Sequence, residues 1–135
     1  MKNIFLTLLI FSVSLFADLK EIYPTQDFFS KKIPIVDIRT PQEWQETGIL
    51  QGAVPIMFFD QNGRYNVDKF LQQLNKKVDT SKPFAIICRT GHRTSMVAPW
   101  LGNTLKYKVI NLKGGMLYVT QKLKIPTHKY VSHIQ

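Results

Sequence analysis

Cysteine, acidic residues and repeated segments are all scarce in this sequence. Its single cysteine, Cys88, cannot form a disulfide within one chain. Only 9 Asp and Glu residues stand against 18 Lys and Arg residues, which gives a formal net charge of +9. The lysines are scattered and no basic stripe is interleaved with aromatic residues, so we expect no nucleic-acid partner. We interpret the charge as favouring solubility and attraction for small anions.

Long apolar runs are also missing, with one exception at the N-terminus. Residues 4–16 form an apolar run after Lys2, which is typical of a secretory signal peptide. The run is shorter than the roughly 20 residues of a membrane-spanning helix, so we expect cleavage after Ala17 and no stable membrane insertion afterwards. An uncleaved anchor stays open, because Leu15 is larger than the residue usually found three before the cut. We expect residues 1–17 to be removed and the protein to be exported to the periplasm.

Residues 18–135 are enough for one domain with its own core. Short apolar runs alternate with helical patterns, which predicts a single α/β domain with a mainly parallel central sheet flanked by helices. Strands are predicted in IPIVDI, AVPI, PFAIIC and YKVINL, and helices after Thr40, around Phe70 and Leu74, from Arg93 or Thr94 onward, and from Gly114 to about Leu123. Thr40 and Glu43 have the spacing of a capping box, and Pro99 is expected to bend its helix.

The solitary cysteine ends the apolar run PFAIIC and precedes the stretch RTGHRT. In a parallel sheet, ligands bind beyond the carboxyl ends of the strands. A helix N-terminus and nearby arginines favour an anion there, and that anion can be the thiolate of Cys88 itself. Gly91 permits a tight turn that brings backbone N–H groups towards the sulfur. From composition alone, a buried structural thiol is the alternative interpretation.

The stretch from Cys88 to Thr94 is therefore the candidate site. Cys88 is the candidate catalytic nucleophile. The candidate substrate-binding residues supply cations, hydroxyls and N–H groups: Arg89, Thr90, Gly91, His92, Arg93 and Thr94. A solvated loop position is the alternative for His92, and a surface position is the alternative for Arg89. We expect no metal site, because His128 and His133 lie in a basic tail without a second ligand group at metal spacing.

Three motifs in order resemble those of rhodanese-like sulfurtransferases. The loop from Cys88 to Thr94 resembles the family's active-site loop, VDIRTPQEWQETGILQGAVPI its N-terminal signature and VINLKGGM its C-terminal signature. The matching positions in the two signatures are Asp37, Arg39, Glu43, Trp44, Gly48, Gly52, Ala53, Gly114 and Gly115. The similar region, about residues 33–126, would be the core of a small, single-domain, exported rhodanese. Some framework positions depart from the family pattern: Ile49 and Leu50 replace its usual histidine and isoleucine, and the tryptophan often found after the double glycine is absent.

The resemblance implies a double-displacement reaction without a metal or an organic cofactor. Cys88 would take a sulfane sulfur from an anionic donor such as thiosulfate, forming a persulfide that cyanide or a thiol then removes. Arg89 and Arg93 would supply positive charge for a donor that departs as a dianion. Phosphatases and arsenate reductases of related fold carry one residue more than the four between Cys88 and Arg93 here, so loop length favours sulfur over phosphate or arsenate chemistry.

Other functions remain open with the same loop. A persulfide carrier or binding module would deliver sulfur to a partner protein without fast turnover of its own. A thiol–disulfide redox protein is disfavoured, because no second cysteine is present. We interpret Asp37 and Arg39 as structural residues that hold the sheet end to the first helix, with Arg39 and Glu43 one helical turn apart.

Overall fold

A computed structural model describes residues 18–132 of the chain. Short elements alternate along it in the order strand β1 Leu19–Ile22, helix α1 Gln26–Ser30, β2 Ile35–Asp37, α2 Pro41–Thr47, β3 Ile49–Leu50, β4 Val54–Pro55, α3 Val67–Lys77, β5 Phe84–Ile87, α4 His92–Pro99, β6 Val109–Leu112, α5 Gly115–Leu117 and β7 Thr127–His128. Two π-helical segments, Trp100–Thr104 and Tyr118–Lys122, continue α4 and α5.

Five of the strands form one parallel sheet in the order β1-β6-β5-β2-β4. Strands β3 and β7 pair separately and antiparallel. This architecture confirms the predicted α/β class with a parallel central sheet flanked by helices. The signal peptide predicted for residues 1–17 lies outside the described residues. Among residues 18–132, no helix is long and apolar enough to cross a membrane.

Both faces of the sheet are covered, which explains why the central strands read as continuous apolar runs. Side chains of β5 alternate between the two faces: Ile86 packs with Phe70 of α3 and Val97 of α4, whereas Ile87 packs with Met116 of α5 and Phe28 of α1. All four residues of β5 are fully or almost fully buried. The strand that leads to Cys88 is therefore held between two hydrophobic layers.

Pro99 changes the geometry of its helix without ending the helical chain. After Pro99 the segment Trp100–Thr104 is π-helical, and the Leu105 N–H donates to the Trp100 carbonyl at 3.1 Å, a five-residue step. Pro99 has no N–H to donate to the preceding turn, so regular α-helical bonding is interrupted immediately before this segment. Gly102 lets this segment pack closely on β1, since a Cβ there would lie 2.8 Å from Leu19 Cβ.

Candidate active site

The thiol of Cys88 lies immediately after β5, at the carboxyl end of the parallel sheet, and the residue is 0% exposed. The Gly91 N–H donates to Cys88 Sγ at 3.2 Å. Gly91 has a φ of 93°, in the left-handed region, and occupies the position just before α4. The tight turn therefore directs a backbone donor at the sulfur, and the first turn of a helix follows directly.

The buried hydroxyl of Thr94 is the second group in contact with the sulfur. Thr94 is fully buried, and the Cys88 Sγ–H donates to Thr94 Oγ1 at 3.7 Å. The Thr94 hydroxyl in turn donates to the Gly91 carbonyl at 3.2 Å. Because a hydroxyl both donates and accepts, Thr94 can turn its proton towards the sulfur when the thiol is ionised. The arrangement suits an anionic sulfur at this position.

The residues of α5 support the Cys88 loop through its backbone. The N–H of Met116 donates to the Cys88 carbonyl at 2.8 Å, and the N–H of Leu117 donates to the Arg89 carbonyl at 3.1 Å. Gly115 approaches so closely that a Cβ there would lie 2.5 Å from both of these carbonyl oxygens. The start of α5 thus binds the backbone that carries the sulfur, and the close approach explains why the first residue of this short helix is a glycine.

Arg93 is held by Glu43 of α2 and is not a free cation. Its Nη1 and Nη2 donate to Glu43 Oε2 and Oε1 at 2.8 and 2.7 Å, and the two side chains are 21% and 22% exposed. Arg39 and Glu43 are four residues apart, and this spacing predicts that they lie close together. In the structure Glu43 instead pairs with Arg93, a predicted substrate-binding residue, and Arg39 pairs with Asp37. The bidentate pair ties the start of α4 to the start of α2 and neutralises much of the Arg93 charge.

Glu43 has a second role at the start of its own helix. Its Oε2 accepts from the Thr40 N–H at 3.0 Å, while Thr40 Oγ1 accepts from the Glu43 N–H at 3.3 Å, which confirms the predicted capping box. Burial acts to raise the pKa of Glu43, but hydrogen bonds from Arg93 and Thr40 together with the Arg93 charge outweigh it and lower this pKa from 4.5 to about 2. Glu43 is therefore ionised at neutral pH.

Asp37 and Arg39 form a separate buried pair at the end of β2. Arg39 Nη2 donates to Asp37 Oδ2 at 2.8 Å, and the side chains are 2% and 0% exposed. Arg39 Nε also donates to Asp37, to Oδ1 at 3.0 Å. Arg39 Nη1 donates to Thr47 Oγ1 at 2.7 Å, and Nη2 donates to the Gly48 carbonyl at 2.8 Å. Both residues thus join the sheet to the end of α2, in agreement with the structural interpretation of the sequence.

The structure divides the predicted site residues into three groups. Gly91 and Thr94 contact the sulfur of Cys88. Arg93 is paired with Glu43, whereas Arg89, Thr90 and His92 are exposed. Sequence reasoning did not identify Glu43 as the partner of Arg93, and the fifty residues between them left no local signal. Within the described part of the chain, no group of three or more His, Cys, Asp or Glu side chains could hold a metal ion.

Replacing Glu43 by glutamine separates its two roles, because an amide oxygen can still accept from the Thr40 N–H but carries no charge for Arg93. Because the pKa of Glu43 is lower in the folded than in the unfolded protein, its ionised carboxylate stabilises the fold at pH values above the unfolded pKa. This contribution is lost as pH falls from about 4.5 to about 2. We expect Glu43→Gln to cost about 2 to 3 kcal/mol in the free energy of unfolding at pH 7.

The cost should shrink towards pH 2, and denaturant unfolding curves at several pH values would measure it. Glu46→Gln is the matched control: Glu46 lies on the same helix but is exposed and accepts only from Gln42 at 2.8 Å, so it should change stability little. A cost for Glu43→Gln that did not vary between pH 7 and pH 2 would contradict the assigned role of the pair.

The fold and the loop together define a class of protein: an α/β domain with a buried cysteine in the turn between a central parallel strand and a helix. The family model of the rhodanese-like domain matches residues 18–122, and the chain belongs to that family. This membership confirms the resemblance and supports chemistry of the sulfur-transfer type. The match also includes β1, which precedes the region of resemblance found in the sequence.

Individual proteins are also similar to this chain. The chain is 32% identical over 84 residues to the uncharacterized protein RP600 of Rickettsia prowazekii, covering 60% of this chain and 67% of that protein. The rhodanese-like domain protein of Staphylococcus aureus is similar with a TM-score of 0.52 and 25% identity, covering 72% of this chain and 87% of that one. Rv0390 of M. tuberculosis shares the fold with a TM-score of 0.58 at 23% identity, covering 71% and 78%.

Proposed function

We propose that the protein is a thiosulfate sulfurtransferase that moves a sulfane sulfur from an anionic donor to cyanide or a thiol through a persulfide on Cys88. The observation that supports this most directly is the Gly91 N–H donated to Cys88 Sγ at 3.2 Å, in a turn that opens a helix. Backbone donors and a helix N-terminus stabilise negative charge on a sulfur. That charge is present both in the thiolate and in the persulfide.

The proposed reaction has two displacements. The Cys88 thiolate attacks the outer sulfur of thiosulfate, a sulfur–sulfur bond forms to Cys88, and the original sulfur–sulfur bond breaks with its electron pair leaving on sulfite. The persulfide then carries one negative charge on its terminal sulfur. Cyanide attacks that sulfur, thiocyanate leaves and the thiolate is regenerated. Each step is a nucleophilic substitution at sulfur, so no external oxidant or reductant is consumed.

Two features of the loop favour sulfur over phosphate as the transferred group. Only four residues separate Cys88 from Arg93, which leaves a narrow turn. Arg93 is also engaged by both carboxylate oxygens of Glu43 at 2.7 and 2.8 Å, so its donors are not free to grip the oxygens of a tetrahedral phosphate. A terminal sulfur needs only the N–H donors of the turn, whereas a phosphoryl group needs donors for three oxygens.

The intact mass of the purified protein after thiosulfate treatment tests the proposal. We expect a gain of one sulfur atom, which cyanide removes with release of thiocyanate. Because Cys88 is the single cysteine, the added sulfur reports this residue alone. A stable gain without repeated turnover would identify a persulfide carrier instead, and no gain from thiosulfate would contradict the proposed donor.

Arg89 should distinguish anionic from neutral donors, since it is exposed at the loop and forms no ion pair within residues 18–132. We expect Arg89→Ala to remove a charge-assisted bond of about 1.5 to 3 kcal/mol and to lower kcat/KM for thiosulfate roughly tenfold to a hundredfold. The loss should be much smaller with a neutral persulfide donor. Added salt should weaken the thiosulfate reaction of the parent protein. Equal losses with both donors would show that Arg89 shapes the loop instead.

A further inference from the structure

The pairing of Arg93 with Glu43 leaves the proposed site with less positive charge than its two loop arginines suggest. Arg93 and Glu43 form two hydrogen bonds, at 2.7 and 2.8 Å, so the Glu43 carboxylate largely balances the Arg93 charge. Thiosulfate and sulfite are both dianions, and the charge of the leaving sulfite resides on its oxygens. A second unpaired cation near the loop would therefore assist both donor binding and departure of the product.

Lys113 leaves the sheet beside Cys88. Strands β5 and β6 are parallel neighbours, and Ile86 lies opposite Asn111 in their register. Cys88 and Lys113 each lie two residues further along, so both emerge at the same level of the same sheet edge. This edge is where ligands bind in parallel sheets.

The backbone after Lys113 touches the loop that carries the sulfur. A Cβ on Gly91 would lie 3.1 Å from the N atom of Gly114, and Gly91 is the residue whose N–H donates to Cys88 Sγ at 3.2 Å. The Lys113 N–H itself donates to the Ile22 carbonyl at 2.8 Å. Lys113 is thus anchored between β1 and the Cys88 loop, and its flexible four-carbon stem starts next to the site.

The ammonium group of Lys113 is held by an aromatic ring and not by a carboxylate. Its Nζ lies over the Tyr23 ring, 5.0 Å from the centroid, and Tyr23 is 56% exposed. No ion pair of Lys113 is found anywhere in the described chain from residue 18 to residue 132. A contact with an exposed ring is weak and leaves the positive charge intact, so the ammonium can transfer to an anion at little cost.

We propose that Lys113 is a specificity-determining residue that binds the oxygens of the anionic sulfur donor and of the leaving sulfite, with Tyr23 holding its ammonium group between turnovers. This inference rests on the proposed sulfur transfer at Cys88 and adds the residue that selects the donor. Lysine suits the role because its ammonium is a mobile point charge with three donors. Arg89 and Lys113 then supply the two cations that a dianion requires.

Three variants test the inference in the thiosulfate reaction. We expect Lys113→Ala to lower kcat/KM about tenfold and Lys113→Arg to retain most of it, since a charge-assisted contact is lost in the first and preserved in the second. The matched control is Lys108→Ala, which removes the same charge from an exposed residue at the opposite end of β6 and should change the rate less than about twofold. With a neutral persulfide donor, all three variants should match the parent.

The outcomes separate this inference from the function on which it rests. A parent protein that gains sulfur from thiosulfate while Lys113→Ala reacts at the parent rate would overturn the role of Lys113 alone. Equal losses in Lys113→Ala and Lys108→Ala would assign the effect to net charge and would also overturn it. A parent protein that gains no sulfur from thiosulfate would overturn the proposed function and this inference together.

Discussion

Cys88→Ser is expected to abolish sulfur transfer while the fold survives. A serine hydroxyl is hardly ionised at neutral pH and cannot carry a persulfide, so we expect turnover with thiosulfate and cyanide to fall about 10⁴-fold or more. The change is nearly isosteric, and the hydroxyl can accept from the Gly91 N–H and bond with Thr94 in place of the thiol. Steady-state rates and intact mass would measure the loss.

Unfolding curves supply the control for this variant. The free energy of unfolding should change by no more than about 1 to 2 kcal/mol, because the buried position keeps its hydrogen-bond partners. Ser95→Ala, one residue beyond Thr94 and exposed, should keep parent activity. A folded Cys88→Ser protein that still transfers sulfur at the parent rate would remove Cys88 as the nucleophile.

The sheet and the loop could be predicted because their signals are local in the sequence. After its exposed first residue, Pro83, the run PFAIIC is buried from Phe84 to Cys88, as continuous apolar patterns predict for a central parallel strand. The capping box of Thr40 and Glu43 is likewise a four-residue signal, and it is present. Gly91 adopts the left-handed backbone that a tight turn before α4 requires.

Short strands and a strand at the sheet edge escaped prediction. Strand β1 reads LKEI, and its two central residues are exposed because it lies at the edge of the sheet. It is specified by pairing with β6, which begins some ninety residues later in the chain. Strands β3 and β7 have two residues each and exist through their mutual pairing. A pattern confined to a short window cannot reveal such partners.

The ion pairs of the site illustrate the same limit. Spacing placed Glu43 one helical turn from Arg39, but Arg39 precedes α2 and turns back to Asp37 in a buried pair at 2.8 Å. That leaves Glu43 available for Arg93 across fifty residues. Which arginine meets which carboxylate was therefore decided by the packing of α2 against the start of α4, and not by sequence distance. The consequence is functional, since it changes which cations remain for a substrate.

Replacing Gly115 by alanine tests whether the start of α5 holds the Cys88 loop in place. An added Cβ would lie 2.5 Å from the carbonyl oxygens of both Cys88 and Arg89, atoms that belong to backbone and cannot rotate away. Gly115 also has a φ of 60°, in the left-handed region, which costs a non-glycine residue roughly 1 to 2 kcal/mol. We expect Gly115→Ala to lose about 3 kcal/mol or more in the free energy of unfolding, because backbone strain and overpacking combine.

Gly63→Ala is the control that separates these two costs. Gly63 has a φ of 75°, but nothing lies within 4 Å of the position of an added Cβ. It should therefore lose only the backbone cost of roughly 1 to 2 kcal/mol and retain sulfur transfer. Gly115→Ala should also slow sulfur uptake from thiosulfate, since Cys88 and Arg89 must shift to admit the methyl group. Equal losses of stability in the two variants, with sulfur uptake unchanged in both, would show that the start of α5 does not hold the Cys88 loop in place.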